Sequence, residues 1–426
     1  MSTADPPTRL DRRLGVADAV VVGMGAMIGA GVFSAIGPAA KSAGAGLLIG
    51  LAIAAVVALC NATSSAQLAA VHPRAGGTYV YGTEQLGPLW GYVAGWGFVV
   101  GKTASCAAMA LTFGAYAWPD HPRPLAAAAV VALALVNLAG VTKSTAATRV
   151  ILAVVLASLG AVVVACFFGG TADVDNIGTL WRAGPFDILQ SAGLLFFAFA
   201  GYARIATLGE EVRDPARTIP RAVPIALGAT LLVYATVAVA ALVAVGPAAL
   251  ASSTSPLATA VDAGDLDHLA PAVRIGGAVA SLGVLLSLML GVSRTAFAMA
   301  AERDLPRWLG AVHPRTRVPH RAEVALAVVV LVVVSLVDVR GAIGFSSFAV
   351  LVYYAIANAS AFTLPAPPRT WPRAMTVVGV IGCLALAATL PGWTVLSGVA
   401  VLVAGVVLRV LARPSAPTRA DERART

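Results

Sequence analysis

Twelve apolar runs, near 17–36, 44–71, 88–118, 124–140, 150–169, 188–208, 222–246, 272–300, 323–338, 341–364, 374–390 and 393–412, follow one another with only short polar joints between them. A helix that crosses a bilayer needs about 20 mostly apolar residues, and most of these runs are that long. They are apolar on every face, which excludes a transmembrane barrel built from shorter, alternating segments. A chain in which 59% of 426 residues are hydrophobic and 12% charged is neither a soluble enzyme nor a disordered polymer. The fold class expected is an all-α polytopic membrane protein with twelve transmembrane helices.

The basic residues orient it. Of the 29 lysines and arginines, 21 fall at one set of alternate loops and tails, among them Arg9, Arg12, Arg149, Arg213, Arg303 and Arg413, and only five fall on the opposite side. By the positive-inside rule both termini are then cytoplasmic, most simply at the plasma membrane. The same placement accounts for the net charge of +9 without nucleic acid, because no aromatic-and-basic recognition stripe lies between the arginines. Residues 1–16 are polar and the first run is long enough to span, so a retained helix is expected there. Prolines at Pro38, Pro88, Pro119, Pro185 and Pro271 are expected outside helices or in their first turns.

Catalytic signatures are missing. The four cysteines, Cys60, Cys106, Cys166 and Cys383, sit singly in apolar runs, so neither a disulfide framework nor a metal site is expected. All five histidines fall in loops, with no nucleophile elbow, paired-histidine motif or phosphate-binding loop. No cofactor is implied. An ion channel lacks a charged ring or repeated filter sequence, and a membrane enzyme is the weaker competing class. Function should reside in the helical bundle, since no extramembrane stretch is large enough to fold alone; those near 171–187, 247–271 and 301–322 read as loops.

Two runs carry breaks. Gly23, Gly25, Gly29 and Gly31 lie within nine residues in the middle of the first run, where each glycine costs about 1 kcal/mol of helix relative to alanine. Close helix packing through Gly25 and Gly29 is the competing explanation. In the sixth run Gly201 stands between Phe199 and Tyr202 at similar depth, followed by an intramembrane arginine, Arg204. Helices five apart run in opposite directions, as expected for an inverted repeat whose broken helices meet at the midplane. A helix restarting near Gly31 offers free N–H groups and a positive dipole end to a carboxylate. Carbonyls around Ala26, Met27 and Ile28, and those of Phe199 and Ala200, offer acceptors to an ammonium group. A ligand with both groups is an amino acid.

These residues also carry a family resemblance. Gly25–Phe33 (GAMIGAGVF) resembles the first-helix signature of the amino acid-polyamine-organocation (APC) transporters. Pro73–Tyr81 (PRAGGTYVY) looks like that family's loop after helix 2, and Gly140–Ser144 (GVTKS) like the beginning of its helix 5. Phe197–Pro220 (FAFAGYARIATLGEEVRDPARTIP) is similar to helix 6 and its exit, closest to the cationic amino-acid branch. Arg294–Pro306, with Ala298 and Asp304, then His313, resembles the end of helix 8 and the next loop. The resemblance runs from about residue 14 to 365. It implies two inverted five-helix repeats, over 17–169 and 188–364, two added helices over 374–412, and tails over 1–16 and 413–426. It implies an amino-acid permease or exchanger in which the carboxylate meets the backbone of Gly29, Ala30 and Gly31. The amine would meet the carbonyls of Met27, Ile28 and Phe199, beside Ala200 and Gly201, with Tyr202 flanking. The substrate side chain would point between helices 1, 3, 6, 8 and 10. A polyamine or other organocation is the alternative substrate, and a coupling ion or proton a further partner besides the bilayer.

Charges within spans stand out. Lys102 lies 13 residues beyond Leu89, roughly 20 Å into a layer about 30 Å thick, so it should face protein or water. Proton-coupled relatives carry a lysine midway along helix 5, whereas Val150–Ala157 has none. Lys102 is thus a candidate to supply that charge from helix 3, the competing role being a tether to helix carbonyls. Arg204 is a pocket or inner-gate candidate, with a structural ion pair as the competing reading. Glu210 and Glu211 are gate-latch candidates that could equally be solvated loop acids. Asn61, Asn137, Tyr353, Tyr354 and Asn358 read as interhelical hydrogen-bonding groups.

Overall fold

The computed structural model describes residues 15–72, 76–140, 145–202, 212–366 and 370–412, and among them the secondary structure is helical throughout, without a strand. The first apolar run holds two helices, α1 (Val16–Met27) and α2 (Ala30–Ala43), parted by Ile28 at φ −74°, ψ 78° and Gly29 at φ −132°, ψ −150°. Gly44, at a φ of 55° that only glycine adopts cheaply, ends α2 and turns the chain into α3 (Leu47–Val71). There follow α4 (Thr78–Leu86), α5 (Pro88–Ala117), α6 (Pro122–Leu138), α7 (Thr145–Phe168) and α8 (Pro185–Phe199). The later elements are α9 (Pro215–Ser252), α10 (Pro256–Asp262), α11 (Ala270–Ala301) and α12 (His320–Leu336). Last come α13 (Val339–Phe362), α14 (Arg373–Thr389) and α15 (Gly392–Ala412).

Proline starts many of them. Pro88, Pro122, Pro185, Pro215 and Pro256 open their helices, where the missing N–H has no partner to lose and φ is already helical. Pro38 departs from the sequence expectation, because it lies inside α2. Neighbouring helices offset the cost of proline in such bundles, and Arg340 of α13 donates to the Pro38 carbonyl at 3.0 Å. The stretch 247–271, expected as loop, holds the end of α9, bent at Gly246, and the short α10.

Seven helical stretches among the described residues are long and apolar enough to cross a membrane, with α2 and α3 running on as one of them. At the centre stands α5, with α11 and α13 packed along it, while α8 lies against α2 and α3 and α1 against α9. Small residues permit the closest crossings: a methyl on Gly277 of α11 would come within 2.6 Å of the Tyr116 ring of α5. The core is formed by α2, α3, α5 and α13, whose residues are mostly buried, whereas α15 is mostly exposed. Outward faces carry Leu135, Val150, Leu232, Leu336, Ile381 and Leu411, an apolar surface that lipid covers and water would not.

Candidate functional site

The break after Met27 leaves backbone groups to be satisfied. The Ile28 N–H donates to the Met24 carbonyl at 2.6 Å and closes α1, and the Gly29 N–H turns back to the Met27 carbonyl at 2.8 Å. No side chain caps α2 at Gly29, so the first N–H groups of α2 point out of its end with the positive end of its dipole. In α8 the helix stops at Phe199. A turn over Ala200, Gly201 and Tyr202 follows, in which the Tyr202 N–H donates to the Phe199 carbonyl at 3.2 Å.

Backbone contact joins the two breaks. A methyl at Gly201 would fall on the carbonyl of Ala26, and one at Gly31 would come within 2.6 Å of the Ala198 Cα. The Tyr234 hydroxyl of α9, fully buried, shares its hydrogen between the carbonyls of Met27 (2.6 Å) and Ala198 (3.0 Å). One phenol thus pins the end of α1 to α8. Tyr234→Phe keeps the ring and removes both bonds. It should cost about 1–3 kcal/mol in thermal unfolding of the purified protein, the usual range for stranding buried acceptors.

Between the breaks lies a cavity with about 430 Å³ of empty space, including its open mouth. Ala26, Met27, Gly29, Ala30 and Gly31 wall one side, and Phe197, Ala198, Ala200 and Gly201 another. Lys102, Ser105 and Met109 of α5 and Val284 and Leu288 of α11 complete it.

Six of the nine backbone candidates, Met27, Gly29, Ala30, Gly31, Ala200 and Gly201, therefore meet at one cavity. Ile28, Phe199 and Tyr202 are buried beside it without lining it. Tyr202 instead packs on Tyr354 of α13, with ring centroids 5.1 Å apart, in an aromatic layer with Phe196 and Tyr353. The Met27 carbonyl already accepts from Gly29 and Tyr234, which fills both its lone pairs. Helix 10 of the sequence numbering, α13, stops one layer behind, where Ser346 meets Ser105 at 2.6 Å between hydroxyl oxygens. Arg204, Glu210 and Glu211 lie outside the described residues.

Lys102 is on the wall and 9% exposed, and among the described residues it has no hydrogen-bond or ion-pair partner. Ser105 and Met109 share its helix face at i+3 and i+7, so helical spacing from Lys102 would have found them. Tyr234, Val284 and Leu288 had no such signal. The intramembrane amides act between helices: the Asn358 side-chain N–H donates to Asn61 at 2.6 Å, Ser64 donates to Asn358 at 2.7 Å, and Asn137 donates to Glu323 at 2.8 Å. Tyr353 accepts from the Thr78 N–H at 3.2 Å, and the four cysteines are buried.

A bundle of apolar helices with a cavity where two of them break is compatible with a membrane transport protein. The chain belongs to the amino acid permease family, whose match covers residues 18–413. It is an integral membrane protein and a transporter of amino acids. It is 58% identical to an uncharacterized transporter of Mycobacterium tuberculosis, over 99% of this chain and 97% of the relative. It is 26% identical to the branched-chain amino acid permease BcaP of Bacillus subtilis, over 74% of this chain and 72% of that one. Cationic amino acid transporter 4 of Homo sapiens is also 26% identical, over 84% of this chain and 60% of the human protein. The APC resemblance read from the motifs agrees with this family.

Proposed function

We propose that the chain carries a free L-amino acid across the plasma membrane by alternating access around the cavity between α1, α2 and α8. The observation that supports this most is the meeting of two unwound backbone stretches on one cavity. The uncapped start of α2 offers N–H donors to a carboxylate through Ala30 and Gly31, the Gly29 N–H being engaged by the Met27 carbonyl. The ammonium group would turn to carbonyls left free at the ends of α1 and α8, with Met27 excluded because its carbonyl is already engaged. In this reading the chain forms twelve spans, two inverted five-helix repeats over 17–169 and 188–364 plus two added helices, with both termini cytoplasmic. Rocking of one group of helices against another would expose the cavity alternately to either side.

Counterflow of radiolabelled amino acids in proteoliposomes tests the proposal. Saturable exchange that an excess of one unlabelled amino acid suppresses is expected. Currents of unitary size without exchange would instead indicate a channel. The relatives' names point two ways for the side chain, toward branched-chain and toward cationic substrates.

Lys102 is the coupling candidate, being the charged side chain among the described residues of the cavity wall. Lys102→Ala should flatten the dependence of uptake on external pH. A profile superimposable on the parent's would remove Lys102 from coupling.

A further inference from the structure

We infer that the cavity accepts amino acids with an uncharged, apolar side chain and rejects cationic ones, Lys102 being the residue that decides. This builds on the assignment of the cavity as the substrate site.

Charge balance carries it. Among the described residues on the wall, Lys102 is the one charged side chain, and no aspartate or glutamate lines the space. Among the described residues its ammonium has no acid to neutralise it, and it is nine-tenths buried. The buried carboxylates of the described bundle are engaged elsewhere: Glu323 accepts from Asn137, and Asp304 holds Arg409 and Tyr79. The dipole end of α2 adds a second positive potential to the same cavity. A zwitterion with an apolar side chain brings one carboxylate to meet these two and one ammonium for the free carbonyls at the ends of α1 and α8, and adds no further charge. Lysine, arginine or a polyamine brings an extra cation.

In a water-poor space two like charges about 6 Å apart, at an effective dielectric constant of about 20, lose roughly 100-fold in an equilibrium constant. Among the described residues no acidic side chain on the wall offsets that repulsion. The rest of the lining favours a hydrocarbon side chain, since Met109, Phe197, Val284 and Leu288 present carbon to the space. Val284 also comes within 2.6 Å of where a methyl on Gly29 would sit, so α11 closes tightly over the carboxylate end.

Paired isosteres test this on the purified protein. Norleucine is lysine without its charge, and citrulline is arginine with a neutral urea in place of the guanidinium. Thermal-shift titrations should give half-maximal stabilisation by norleucine and leucine at concentrations about 100-fold below lysine, and citrulline should likewise outrank arginine. Lys102→Gln should narrow the norleucine-to-lysine ratio toward one, and Lys102→Arg, which keeps the charge, should preserve it. Lysine or arginine matching its neutral partner on the parent protein overturns the selectivity while leaving the site intact. If no amino acid shifts the transition at all, the assignment of the cavity falls with it.

Discussion

Alanine at position 201 should abolish amino-acid exchange while its effect on folding stays modest. Gly201 packs directly on the Ala26 carbonyl, and a methyl there would also come within 2.8 Å of the Met27 nitrogen. These neighbours are backbone atoms, which cannot rotate away as a flexible side chain could. The added carbon must therefore push the turn at 200–202 off the end of α1. Overpacking of this kind costs about 1–3 kcal/mol, which a bundle this size survives. The cavity would not, because both displaced segments are its walls. Gly160→Ala in α7 and Gly228→Ala in α9 are the controls, since a methyl at either meets nothing within 4 Å. They should be neutral or stabilising by up to about 1 kcal/mol, as expected for glycine to alanine in a helix. Exchange by Gly201→Ala at the level of these controls would show that the contact between the breaks is dispensable.

The largest stability loss should come from Asp304→Leu, far from the cavity. Asp304 follows α11, and its carboxylate accepts from the Arg409 Nε of α15 at 2.9 Å and from the Tyr79 hydroxyl of α4 at 2.8 Å. Both members of the ion pair are nearly inaccessible, at 6% for the Arg409 side chain and 5% for that of Asp304. The guanidinium also lies over the Tyr92 ring, 4.6 Å from its centroid. Burial first, and the Asp304 carboxylate second, push the Tyr79 phenol well above its ordinary pKa, so it remains a donor at physiological pH. Removing the acid strands a buried guanidinium, which costs about 3–5 kcal/mol. Replacing both partners by leucine removes the stranded charge as well as the pair. The double variant Asp304→Leu, Arg409→Leu should recover most of the loss in thermal unfolding. Additive losses in the double-mutant cycle would mean that the two groups act independently.

The interruption of the first helix was legible because its cause is local. Glycine lowers helix stability wherever it stands, and four of them in nine residues mark the weak point at Ile28 and Gly29 without reference to any neighbour. Proline at the starts of α5 and α8 was legible for the same reason, since its ring acts on its own backbone. Pro38 was misread by that logic, because its cost inside α2 is met by other helices and a local rule does not see them.

Sequence alone therefore determined the apolar helical character of the chain, the position of the first break, the placement of Lys102 deep in a span, and the family. Each follows from composition or from the conformational preference of residues close in the chain. Only the tertiary structure decided that Gly201 rests on Ala26, that Tyr234 bridges the two breaks, and that Lys102, Val284 and Leu288 share one wall with them. These residues lie tens to hundreds of positions apart. A long-range contact depends on how whole helices cross, which is set by the packing of every side chain along them and has no local imprint.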